Sequence, residues 1–371
     1  MKKFVALLLA AMMMLSVMAF ASADETMRVA MITDYGDITD QSFNQTTYEA
    51  AKAYCEANGV DFTYYKPAGD STAERVAMVE KAVDDDYNVI VMPGYAFGET
   101  IGEVQDEYPD VCFVALDVSA FDVVKDGENV DPAANVYCAV YQEELCGYMA
   151  GYAAVKLGYT HLGFLGGMAV PAVVRYGFGF VQGANAAAVE LGNADKVTVE
   201  YVYGNQFFGD ADITAYMDNW YQTLGVQVVF ACGGGIYSSA CEAAVKVEGA
   251  KVIGVDVDQA AQIDGTYGTS GLVVTSAMKG LGATVNTLLS EIAAGNFANY
   301  GGKIETLGLI GTDPDLNYVQ IAPSTQFADG FTTDDYAGLV AAMFAGTVTV
   351  SNAIDAMPAT TITVNDAGTV K

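Results

Sequence analysis

In "DQSFNQ", residues 40–45, a large aromatic, Phe43, falls among polar residues at the start of a helix-like run. The strand-like run "RVAMITD" precedes it and "TTYEAAKAYCEA" follows. Ser42, with Gln45 three residues on, reads as a capping box, which explains the polar letters but not the aromatic. Ligands of parallel α/β sheets sit beyond the carboxyl ends of the strands, so each strand end is a place to look for chemistry. The first offers Asp34, Phe43 and Asn44, the third Gly94 and Tyr95, and the fourth Asp117. In the second half come Gly167 and Met168, then Phe207, Phe208 and Asp210 in "GNQFFGD". Gly234 in "CGGGIYS" follows, and last Asp256 and Asp258 in "VIGVDVDQ". Aromatic faces stack on planar rings, and carboxylates accept hydrogen bonds from pairs of hydroxyls. Glycines at helix entries let backbone N–H groups approach a ligand. A sugar joined to a flat base would use all three. Each residue also has a plain structural use: Phe43 as a hydrophobic staple, one of Phe207 and Phe208 as loop packing, Asp34 and Asp256 as turn or capping residues.

The elements that must position these residues alternate almost without break. "DFTYYKP" precedes the helical "STAERVAMVEKAVDD", "NVIVMPG" precedes "AFGETIGEVQDEY", and "HLGFLGG" precedes "AVVRYGFGFVQGANAAAVELG". Most strands are short continuous apolar runs, as expected of parallel strands covered on both faces. The βα alternation predicts an α/β protein with parallel doubly wound sheets; a single closed barrel of about eight units is the competing topology. "VSAFDVVKDGENVDPAANVYCAVYQEE" breaks the rhythm and is expected to carry the chain between two lobes.

Composition narrows the function. "MKKFVALLLAAMMMLSVMAFASA" has two lysines, an apolar run and a small-residue end, which reads as a secretory signal peptide over 1–23, cleaved after Ala23. No cysteine precedes Cys55, so no lipid-bearing cysteine is expected at the cleavage point. The product is expected to be periplasmic or extracellular. The formal charge of −30 repels nucleic acid and polyphosphates but tolerates a neutral ligand. Six cysteines, with settings such as "VCFVALD" and "VVFACGGG", are expected to be free buried thiols, with Cys138 and Cys146 a minor disulfide alternative. His161, the only histidine, starts a predicted strand, the wrong edge for catalysis. No nucleophile elbow, zinc motif or C-x-x-C is present, and with 46 acidic residues carboxylate pairs arise by chance. No enzyme, cofactor or metal is expected.

With these residues laid out, the chain resembles the basic membrane protein family of bacterial substrate-binding proteins, whose best-understood members are purine nucleoside receptors of ABC transporters. The resemblance rests on "DYGDITDQSFNQTTYEA", "VIVMPGYAFGETI", "FVALD", "EELCGYMAGYAA", "GFLGGMAVPAVVRYGFGFVQG" and "VIGVDVDQ", in order from about residue 28 to 280. It implies a two-lobed type I periplasmic-binding-protein fold with a three-strand hinge. Lobe 1 is then expected at 24–140 plus 258–300 and lobe 2 at 141–257 plus 301–371. It implies that Phe43 stacks on one face of a purine and Phe207 or Phe208 on the other. It further implies that Asp256 holds ribose hydroxyls, that Asn44 and Asp117 lie near base and sugar, and that Lys279 in "SAMKG" matches a family lysine near the cleft. Family members are commonly lipoproteins, and "GGGIYS" differs from the usual glycine run; both are departures here.

The expected function is capture of a purine nucleoside for an ABC permease, by a monomer. Riboflavin or another heteroaromatic solute is the alternative ligand. A sensor docking on a membrane signalling protein is the alternative role.

Overall fold

The computed structural model describes residues 26–34 and 36–370; the expected signal peptide lies outside them. Strands β1 (Arg28–Ile32), β2 (Asp61–Tyr65), β3 (Val89–Pro93) and β4 (Cys112–Leu116) alternate with helices α1 (Phe43–Asn58), α2 (Thr72–Asp84) and α3 (Phe97–Val104). A short hairpin, β5 (Val124–Lys125) and β6 (Glu128–Asn129), precedes β7 (Val136–Tyr141). Helix α4 (Glu143–Lys156) then opens a second series. It runs through β8 (His161–Gly166), α5 (Pro171–Glu190), β9 (Thr198–Tyr203), α6 (Ala211–Asn219), β10 (Val228–Cys232) and α7 (Tyr237–Ala244). It ends with β11 (Lys251–Asp256), α8 (Ala260–Tyr267) and β12 (Val273–Lys279). The remainder is α9 (Leu281–Ala293), β13 (Lys303–Leu307), β14 (Val319–Ile321), α10 (Thr333–Phe344) and β15 (Thr363–Thr369).

These strands form two open sheets, not a closed barrel. The first has the order β13-β7-β4-β3-β1-β2, all parallel. The second has the order β14-β12-β11-β10-β8-β9-β15, parallel except where β14 runs against β12. Central strands such as β3 and β10 are buried along their whole length, which is why their sequences are apolar without alternation. In each sheet the strand order reverses beside the first strand, between β1 and β3 and between β8 and β10. Such switch points open a crevice at the strand ends.

The chain crosses between lobes three times, as the type I fold requires, and the two later crossings lie elsewhere than the sequence suggested. The irregular 118–135 segment stays on lobe 1, folded against α3. An added Cβ on Gly98 would sit 2.1 Å from the Asp122 carbonyl, and one on Gly102 2.0 Å from that of Val124. The first crossing follows at Tyr141–Glu143. The expected return to lobe 1 at residue 258 is displaced. β12 pairs with β11 and extends the second sheet, so the chain returns only after Lys279, when α9 packs on α1. β13 pairs with β7, so the last crossing follows Leu307 rather than residue 300. The crossings brace one another: Gln142 N donates to Leu307 O at 3.0 Å, Tyr318 N to Gly308 O at 3.0 Å, and Gly280 N to Tyr318 O at 2.7 Å. All six cysteines are unbridged, and Cys112 alone of them is only half-buried. No helix of the described residues is long and apolar enough to cross a membrane.

Candidate functional site

The carboxyl ends of both sheets face one cleft of about 750 Å³. Asp34, Phe43, Asn44, Tyr95 and Asp117 line it from lobe 1. Met168, Phe207, Phe208, Gly234, Asp256 and Lys279 line it from lobe 2. Of the residues singled out in the sequence for a ligand, Gly167 is not on the wall: the Phe207 ring packs over it, 2.5 Å from where a Cβ would stand. Phe207 is half-buried and also lies against Gly233, whereas Phe208 is 62% exposed. Asp210 serves as the cap of α6, its Oδ1 accepting from Asp212 N and Ile213 N, each at 3.0 Å. Asp258 does not line the cleft; it accepts from Ser324 Oγ at 2.6 Å.

Phe43 is held in the first turn of α1 by a different device from the capping box expected on Ser42. Ser42 makes no side-chain cap bond. Asp40 does the capping: Oδ1 accepts from Ser42 N at 2.9 Å and Gln45 N at 3.0 Å, and Oδ2 from Asn44 N at 3.0 Å. Gln45 instead reaches back to accept from Gln41 N at 2.9 Å. This leaves the Ser42 hydroxyl free to donate across the cleft to Asp256 Oδ2 at 2.5 Å.

Asn44, on the same turn, donates from Nδ2 to Asp34 Oδ1 at 3.1 Å, and its own Oδ1 is buried without a hydrogen-bond partner. Burial pushes the Asp34 carboxyl up to about 6, against the hydrogen bonds from Gly36 N and Asn44.

At the base of the cleft stands an ionic cluster that sequence reading saw only in part. The Lys279 ammonium lies 2.5 Å from Asp117 Oδ2, 3.5 Å from Glu143 Oε1 and 3.8 Å from Asp256 Oδ1. It also sits 4.6 Å from the Phe43 ring centroid, a cation–π contact that engages one face of that ring. Burial opposes the charge on Lys279, but the three carboxylates outweigh it and hold its pKa above the usual lysine value. Burial raises the Asp117 carboxyl to about 6, although Lys279 pulls the other way, and raises Asp256 as well. Asp117 Oδ1 is buried without a partner.

Glu143 and Arg175 were not singled out in the sequence, yet they complete the cluster: Arg175 Nε donates to Glu143 Oε2 at 2.7 Å. Their helices touch backbone to backbone. A Cβ on Gly147 or Gly151 of α4 would meet the carbonyls of Tyr176 or Phe180 at 2.2 and 2.1 Å. One on Gly179 or Gly183 of α5 would meet those of Glu144 or Tyr148 at 2.2 and 2.0 Å. The signal was present: glycines four apart in both "GYMAGYAA" and "GFGFVQG", the first just after the Glu143–Glu144 pair and the second just after the lone charge of Arg175.

The family model for PnrA-like ABC transporter substrate-binding proteins, Bmp, matches residues 27–318. The chain belongs to this family. Over 307 residues it is 27% identical to the ABC transporter nucleoside-binding protein BmpA of Lactococcus lactis, covering 78% of this chain and 81% of that one. Over 293 residues it is 24% identical to basic membrane protein B of Borrelia garinii, covering 78% and 80%. Among solved structures it is similar to an ABC transporter solute-binding protein from Aeropyrum pernix, with TM-score 0.66, 20% identity and coverage of 88% and 87%. One from Conexibacter woesei gives TM-score 0.62 at 22% identity, covering 88% and 99%. The fold is therefore the two-lobed periplasmic-binding type. Proteins of this family are not enzymes; they bind a small molecule and deliver it to a membrane permease.

Proposed function

We propose that this protein captures a purine nucleoside between its lobes for an ABC importer. The observation that carries the reading is the placement of Phe43 and Phe207 on opposite walls of one cleft, with the half-buried Asp34 and Asp117 and the buried Asp256 between them. A base stacks on the Phe43 face opposite Lys279, and Phe207 closes the other side, with Phe208 at the exposed rim. The unpartnered Asn44 Oδ1 and Asp117 Oδ1 call for donors, which the N–H and O–H groups of a nucleoside supply. Asp256 accepts from the ribose hydroxyls.

The charge pattern favours the nucleoside over its phosphates. The cations lining the cleft are Lys66, Arg175 and Lys279. Each is already paired, with Asp37, Glu143 and Asp117 respectively. A phosphate would enter an acidic site with no uncommitted cation among the lining residues, and that desolvation is costly. The nucleoside-binding relative from Lactococcus lactis supports the same ligand class. Export through a cleaved signal peptide, release without a lipid anchor and action as a monomer belong to the same proposal.

Calorimetry against guanosine, inosine, adenosine, their 5′-monophosphates and riboflavin tests it. Nucleosides are expected to bind, with monophosphates far weaker. A monophosphate or riboflavin binding more tightly than every nucleoside would overturn the reading.

A further inference from the structure

Three glutamines or hydroxyls near the cleft do not line it, yet they join the lobes. Gln41 precedes Phe43 by two residues and has φ of 58°, a left-handed conformation uncommon for glutamine. From lobe 2, Gln259 Nε2 donates to Gln41 O at 2.9 Å, and Tyr237 OH donates to Gln41 Oε1. Beside them Ser42 Oγ donates to Asp256 Oδ2 at 2.5 Å. The socket is rigid. Gln259 is 1% exposed, and its Oε1 accepts from Val255 N at 2.9 Å, while its backbone N donates to Ser276 Oγ at 3.2 Å. Its side chain occupies the space over Gly254, where an added Cβ would lie 2.6 Å from Gln259 Oε1. Tyr237 opens α7 and is 7% exposed. The plug is fixed too, since Gln41 N donates to Gln45 Oε1 and Asp40 caps the turn that follows.

We infer that Gln41, Tyr237 and Gln259 form an interlobe clasp that sets how long the closed cleft keeps its ligand, without touching that ligand. The bonds exist only when the lobes meet, so they add stability to the closed arrangement alone. A bias of that kind tightens any cleft ligand by the same factor and acts on its escape. The clasp also gives work to two residues of quoted motifs, the Gln of "DQSFNQ" and the last Gln of "VIGVDVDQ". The nucleoside reading enters only through the choice of probe.

The test uses Tyr237→Phe, Gln41→Gly and the double variant, with guanosine and guanine as probes. Glycine adopts the φ of Gln41 without strain. Losing one interlobe hydrogen bond should speed guanosine dissociation about three- to tenfold. Association should stay within about twofold of wild type, and guanine should be affected by the same factor as guanosine. Because both single changes remove one bond, the double variant should be no worse than either, as a double-mutant cycle reads. Small-angle scattering without added ligand should show a larger radius of gyration for each variant. Wild-type dissociation rates in both single variants, or additive losses in the double variant, would overturn the clasp. Failure of guanosine, inosine and adenosine alike to bind the wild type would refute the nucleoside reading. The clasp would then be judged by scattering alone, where coincident wild-type and variant profiles would overturn it.

Discussion

Asp117, the residue after β4, and Asp256, the last residue of β11 in the opposite lobe, take the same left-handed conformation, φ 61° and 66°, and share one cation, Lys279. Aspartate tolerates that conformation better than most residues, and here it turns both carboxylates from the strand ends into the cleft. The two lobes thus repeat one local device, and the lysine between them offsets a repulsion that would otherwise force the cleft apart.

Removing that lysine should therefore be severe. Lys279→Met leaves Asp117, Asp256 and Glu143 buried with only Arg175 nearby, and breaking a buried ion pair in this way costs about 3–5 kcal/mol. The denaturant midpoint should fall accordingly, and adding Asp117→Asn should recover part of the loss. An unchanged midpoint for Lys279→Met would show that the cluster is not coupled as described.

Acidity should move stability and binding in opposite directions. Asp34 and Asp117 have folded pKa values raised to about 6 from 3.8. A carboxyl raised in the folded state binds protons more readily folded than unfolded. Its stabilising contribution is full below 3.8 and is lost as pH rises through about 6. The ligand-free melting temperature should thus rise between pH 7 and pH 5. Carboxylates lowered by partners, such as Asp37 beside Lys66 and Glu190 beside Tyr152 and Lys156, weaken stability only below that window. Nucleoside affinity should fall over the same range, because protonated Asp34 and Asp117 accept less well. A melting temperature that drops on going to pH 5, with affinity unchanged, would contradict both assignments.

The helix that carries Phe43 should depend on Asp40. Asp40→Ala removes acceptors for three backbone N–H groups and should cost about 1–2 kcal/mol, at the upper end for a cap. Thermal denaturation reads this directly. A neutral Asp40→Ala would return the capping role to Ser42.

The alternation of apolar runs with helical segments made the two-sheet architecture readable, because parallel strands buried on both faces leave continuous hydrophobic words such as "VIVMP". The strand-end rule likewise singled out Asp34, Phe43, Tyr95, Asp117 and Asp256, which line one cleft. The second and third crossing points were not legible. "VVTSAMK" reads equally well as a strand of either sheet, and only pairing with β11 decides it. Ser42 misled for a related reason: its side chain had a local partner in the sequence pattern, and a distant one, Asp256, won. Glu143 and Arg175 escaped because their roles depend on two glycine-lined helices touching, a contact between segments about thirty residues apart.

Processing is checked at the chain's start. Protein recovered from its native host should begin at Asp24 and carry no lipid, since Ala21-Ser22-Ala23 ends the apolar run and no cysteine follows before Cys55. Intact-mass measurement decides it. An acylated or full-length chain would contradict the exported, unanchored form.

The central claim is that Phe43 stacks on a base while Asp256 holds its sugar, and titration of guanosine and guanine against wild type, Phe43→Ala and Asp256→Asn tests it most directly. Base stacking on an aromatic is worth about 1–3 kcal/mol and hydrogen bonds to a charged group about 1.5–3 kcal/mol. At about 1.4 kcal/mol per decade, each change should weaken guanosine by roughly one to two decades. Phe43→Ala should weaken guanine as well, whereas Asp256→Asn should leave guanine nearly untouched, because the free base has no ribose. Equal losses for guanosine and guanine in Asp256→Asn, or full guanosine affinity in a folded Phe43→Ala, would contradict the clamp.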